Sequence, residues 1–90
     1  MNINKTRWSL LDFDFLEKVV DVFEIGIKHG RNADDWQQRE PTEENEKLYF
    51  DSCFRHLTKA LKSRDLKEKQ AHFAAVAANV IILSNLIERR

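Results

Sequence analysis

Ninety residues and 10.7 kDa allow one domain, and a chain this short buries only about 60% of its unfolded surface, so its own core is marginal. Fifteen Lys and Arg balance fifteen Asp and Glu, which removes the usual electrostatic argument for nucleic acid or an anionic membrane. Cys53 has no cysteine partner, which points to a reducing compartment, and one Pro with two Gly favours helices over a many-turned sheet protein. Residues 1–7 are polar and read as an arm (residues 1–12) without a secretory leader, so a cytoplasmic protein is expected.

A first helix is predicted over residues 13–29. Asp14 followed by Glu17 reads as a capping box, and Leu16, Val19, Val20, Phe23 and Ile27 recur at helical spacing as its apolar face. Gly30 suits the residue that ends it. Residues 31–41 form a polar connection around one large side chain, Trp36.

Pro41-Thr42 opens a second helix. Thr42 is the expected N-cap, with Glu43 and Glu44 at the positive end of the dipole. Phe50, Cys53, Phe54, Leu57, Ala60 and Leu61 form its predicted core face, and residues 62–64 end it.

Asp65 with Glu68 is a second capping box, and a third helix runs to about Arg89. Residues 73–83 are apolar on nearly every side, too short a run for a bilayer but the pattern of a helix buried all round. Two partner helices cannot enclose it, so a second subunit is expected against it. The expected fold class is all-α: two long hairpin helices and a shorter first helix, packing into an oligomeric bundle, with residues 1–90 as a single domain.

Several side chains stand out chemically. Glu68, His72 and Asn79 fall in a narrow arc of the third helix. Burying His or Asn unpartnered costs roughly 1–3 kcal/mol, so this line either fixes register through inter-helix hydrogen bonds or faces a ligand. Asp14, Glu17, Asp21 and Glu24 share one face of the first helix, an oxygen-rich stripe of the kind that suits Mg²⁺, but it lies opposite the apolar face, which is the pattern of a solvated face. Glu24 with Lys28, and Asp51 with Arg55, are i, i+4 pairs that ion pairing explains on its own. Arg55 also suits a phosphate. His56 sits at the edge of the second helix's apolar face, and Trp36 either plugs the core or stacks on a base. No zinc spacing and no phosphate-cradling Gly loop occurs.

Four phrases in order resemble the phage-encoded dATP/dGTP diphosphohydrolase family: Arg7-Trp8-Ser9-Leu10-Leu11; Glu24-Ile25-Gly26-Ile27-Lys28-His29-Gly30 followed by Asp35-Trp36; Phe50-Asp51-Ser52-Cys53-Phe54-Arg55-His56-Leu57; and His72-Phe73-Ala74-Ala75-Val76-Ala77-Ala78-Asn79. Ala75 stands where the family's last phrase has a second histidine. The family is similar to MazG-like all-α nucleotide pyrophosphohydrolases, helical bundles that assemble from several subunits. The resemblance implies cleavage of a purine nucleoside triphosphate to monophosphate and pyrophosphate with Mg²⁺ or Mn²⁺. It implies Glu24, Asp51 and Glu68 toward the metal, Lys28, Trp36, Arg55 and Asn79 toward the nucleotide, and His72 and His56 as catalytic groups. Two further readings stand beside it: a reduced relative that sequesters a nucleotide such as a host antiviral signal, and a phage helical protein that binds a host protein. The expected partners are a nucleotide and further copies of the chain, in the host cytoplasm if phage-encoded, with no membrane and no nucleic acid.

Overall fold

In the computed structural model, which describes residues 7–28 and 39–90, a 3-10 turn over Trp8–Leu10 leads into three α-helices: α1 (Phe13–Lys28), α2 (Glu43–Lys62) and α3 (Leu66–Glu88). No strand occurs among the described residues. Gly30 and the connection around Trp36 lie outside the described residues.

Local capping chemistry fixes where the helices start. The Phe15 N–H donates to Asp12 Oδ1 at 3.1 Å, and the Leu16 N–H to the Asp12 carbonyl. Asp12 is therefore the cap of α1, two residues before the expected Asp14, which lies in the first turn and favours the helix through the dipole alone. Thr42 caps α2 as expected, its Oγ1 accepting from the Asn45 N–H at 3.2 Å. Asp65 caps α3 by accepting from the Lys67 N–H at 2.9 Å. The Glu68 carboxylate does not return to Asp65; it accepts from the Ser63 hydroxyl at 3.0 Å. Ser63 also closes α2, its N–H donating to the Lys59 carbonyl at 2.9 Å. A link this short makes α2 and α3 an antiparallel hairpin.

α3 is the middle helix. It packs against both α1 and α2, and those two do not pack on each other. Val19 of α1 sits against Ala74 and Ala78, with Phe15, Val22 and Phe23 around them. The alanines let the α1 backbone approach closely. The packed face of α1 thus includes Phe15 and Val22, while Val20, expected inside, is 56% exposed. On α2 the difference is larger. Cys53 and Ala60 are buried, but Phe50, Phe54, Leu57 and Leu61 are exposed, and Ser52 and His56 take part in the contact with α3 instead. Nor is α3 buried all round: Phe73, Val80 and Ile87 are exposed on the side that neither α1 nor α2 covers. Ala78, within the run expected to be buried all round, packs on α1. Over its 23 residues α3 is long and apolar enough to cross a membrane by length and composition, more than the run 73–83 indicates. Five of its side chains, Ala74, Ala75, Ala78, Ile82 and Leu86, are buried within the chain.

Arg90 ties the open end of the hairpin, its Nε 3.0 Å from Glu46 Oε1 and its guanidinium 3.8 Å from Glu43.

The cap assignment separates two neighbouring carboxylates. Asp12→Ala should lower stability by about 1 kcal/mol, and Asp14→Ala by less than half of that, in urea unfolding followed by circular dichroism. A larger loss at Asp14 would contradict the cap geometry.

Candidate functional site

The seam between α2 and α3 is polar along much of its length. His56 and His72 face one another across it, with Nδ1 atoms 3.0 Å apart and ring centroids 5.3 Å apart at an interplanar angle of 38°. Both rings are half-buried. Two turns along α3 from His72, Asn79 Nδ2 donates to Ser52 Oγ at 3.0 Å. Between these two contacts the Cys53 thiol lies 3.9 Å from the Val76 carbonyl. Burial raises the pKa of that thiol, which keeps it protonated and unreactive.

One proton must lie between the two Nδ1 atoms for this contact to be a hydrogen bond. In the neutral pair one ring donates from Nδ1 and has a bare Nε2, while the other accepts at Nδ1 and carries its proton on Nε2. The pair therefore combines one acceptor with one donor beyond the shared bond. Burial, foremost, and then the charges of His72, Lys59 and Arg55 hold the His56 imidazole below its ordinary value. The neutral state is favoured.

The seam brings His56, His72 and Asn79 into one polar line, joined by Ser52, which sequence reading did not single out. The signal was present: Ser52 and His56 are i, i+4 on α2 and match Asn79 and His72 across an antiparallel hairpin. Glu68 lies at the start of α3 on the Ser63 hydroxyl, exposed. Arg55 is exposed and lines a shallow basic groove with Phe54, Thr58, Lys59 and Lys62. Asp51 is exposed at the open end, beside Glu43, Glu46, Lys47 and Arg90. Glu24 and Lys28 are exposed on α1. Among the described residues neither Glu24 with Lys28 nor Asp51 with Arg55 forms an ion pair. Trp36 lies outside the described residues.

The carboxylates assigned to a metal stand on three different helices. Among the described residues no group of three or more His, Cys, Asp or Glu is placed to hold a metal ion. Glu24, Asp51 and Glu68 of one chain do not, as placed here, form the oxygen-rich set that Mg²⁺ requires. Ala75, where the resembled phrase has a second histidine, is buried at 8% exposure, so a larger side chain there would have to displace its neighbours.

An all-helical hairpin with a histidine pair and an amide on its seam is the class of molecule these observations define. Residues 1–90 match the family model described as dATP/dGTP diphosphohydrolase, N-terminal, and the chain belongs to that family. No curated protein and no solved structure matches the chain.

The histidine contact sets a pH dependence. Because folding lowers the His56 pKa, the unfolded chain takes up a proton near about 6.5 that the folded chain resists. This contribution to stability is complete above that value and is lost as pH falls through the window beneath it. Melting temperature should drop between about pH 7.5 and pH 5, and His56→Asn should flatten that drop. An equal drop in both proteins would contradict the assignment.

Proposed function

We propose that the chain binds a purine deoxynucleoside triphosphate against the α2–α3 hairpin and takes part in its hydrolysis to monophosphate and pyrophosphate. The reading is supported by the family match over residues 1–90, which is described for the N-terminal part of such enzymes. The observation that carries it within the molecule is the His56–His72 contact, which falls in the two sequence phrases that also supply Arg55 and Asn79.

In this reading the bare Nε2 of the pair accepts a proton from the attacking water, and the Nε2–H of the other ring donates to a phosphate oxygen. Water adds at phosphorus as the bond to pyrophosphate breaks, and the shared Nδ1 bond keeps the two rings in complementary tautomers. His56 is kept neutral for this role by burial and by the cations around it. Arg55, one residue before His56, supplies a planar fork for the phosphates, with Lys28 as a further cation and Trp36 as a base-stacking group. Asn79 holds Ser52, and both orient the seam. The placement of Glu24, Asp51 and Glu68 leads to no step through a metal, so the expected Mg²⁺ or Mn²⁺ requirement is a matter for the assay.

A second reading is favoured by that same separation of carboxylates: a chain that binds the nucleotide and does not turn it over.

Incubation with dATP and dGTP, with and without Mg²⁺ or Mn²⁺, tests both readings when pyrophosphate release and thermal stabilisation are recorded together. The expected result is release that falls at least about tenfold in His72→Leu and in Asn79→Leu while helicity is retained. Stabilisation without release in any metal condition would establish the binder, and neither signal would overturn both. Ala75→His, which restores the family histidine at a buried position, should lower stability by about 1–3 kcal/mol and not raise turnover.

A further inference from the structure

Among the described residues the two most exposed large apolar side chains are Leu61 and Leu66, at 81% and 79%. They stand on either side of the link that joins α2 to α3, at the tip of the hairpin. Leu57, one turn before Leu61 on the same face of α2, is exposed as well. Cations surround them. Residues 59–69 hold Lys59, Lys62, Arg64, Lys67 and Lys69 against Asp65 and Glu68. The zero net charge of the chain therefore conceals a positive tip and a remainder with ten Lys and Arg against thirteen carboxylates.

Neither packing nor capping accounts for this grouping. Both tip carboxylates are held by the turn itself: Asp65 accepts from the Lys67 N–H, and Glu68 from the Ser63 hydroxyl. None of the five cations forms an ion pair among the described residues. Lys59 and Lys62 suit the C-terminal end of α2, but Lys67 and Lys69 stand at the start of α3, where the helix dipole disfavours positive charge. Exposed leucines ringed by unpaired cations are what an interfacial contact requires: the apolar side chains enter the headgroup boundary while Lys and Arg meet anionic headgroups.

We propose that the α2–α3 turn docks the chain peripherally on an anionic lipid surface. Leu61 and Leu66 enter the boundary between headgroups and acyl chains, and the five cations meet the headgroup phosphates. The leucines select a lipid surface over a free polyanion, for which an apolar tip has no use. The acidic remainder of the chain is repelled by the same surface, which sets the hairpin tip-down. α3 does not span the bilayer in this arrangement, because Ala74 and Ala78 stay packed on Val19. The expectation of no membrane partner rests on net charge, and local segregation of charge is what it overlooks. The inference does not rest on the nucleotide reading, and neither Arg55 nor His56 takes part in it.

Sedimentation of the intact chain with vesicles tests it. Binding to vesicles of phosphatidylcholine with phosphatidylglycerol should exceed binding to phosphatidylcholine alone by about tenfold or more, and should weaken as salt is raised. Lys62→Glu with Lys67→Glu should lower it by at least about tenfold, since each Lys or Arg near an anionic surface is worth about fivefold. Leu61→Ser with Leu66→Ser should also lower it by about tenfold, with helicity unchanged because both side chains are exposed. No binding to anionic vesicles, equal binding to neutral ones, or a loss in the charge variant with none in the leucine variant would overturn the proposal; the last result would mark a polyanion site. Self-association lost in the leucine variant while vesicle binding is kept would assign the tip to a second copy and overturn it as well.

Discussion

The contact of Val19 with Ala74 and Ala78 is the one on which the arrangement depends. α1 and α2 do not pack on each other, so α3 alone joins them, and it must satisfy a different neighbour on each side. Toward α1 it offers alanines, which bring the two backbones close and leave Val19 only 3% exposed. Toward α2 it offers His72, Asn79 and the buried aliphatic side chains Ile82 and Leu86. Its third side, with Phe73, Val80 and Ile87, is exposed among the described residues.

The polar seam is where structure meets chemistry. A hairpin closed only by apolar side chains would tolerate register slips, whereas Asn79 with Ser52 and His72 with His56 are satisfied in one register. The same bonds leave each imidazole with a nitrogen outside the shared contact. In the proposed reading the two imidazoles carry the chemistry, and the Asn79–Ser52 bond helps to hold the register that positions them. The alternatives considered for this line, register-setting bonds or a ligand-facing stripe, do not exclude each other, because register is what places the second nitrogen of each ring.

Much of this was legible in the sequence. Three helices and no strand, the Thr42 and Asp65 caps and the pairing of α2 with α3 follow from spacing and cap chemistry alone. The polar line on α3 was legible too, since His72 and Asn79 interrupt an otherwise apolar run. Which face of α2 turns inward was not. That helix carries two stripes, and the large apolar one suggests a core. The hairpin instead turns inward the stripe of Ser52, Cys53, His56 and Ala60, because its polar members match the His and Asn of α3 and its small members allow close approach. A single helix pattern does not carry that information; it lies in the fit between two helices. Asp12 was missed because Asp14 offered a textually better capping box, while the backbone turns two residues earlier. The scattered positions of Glu24, Asp51 and Glu68 have a related cause: each suits its own helix, and spacing along a chain does not say which helix faces converge.

The most direct test of the central packing is equilibrium unfolding of Ala74→Leu. Ala74 is fully buried against α1, so added methylenes must push that helix away. A loss of about 1–3 kcal/mol is predicted, with α1 amides losing hydrogen-exchange protection before those of α2. Unchanged stability with unchanged α1 protection would contradict the account.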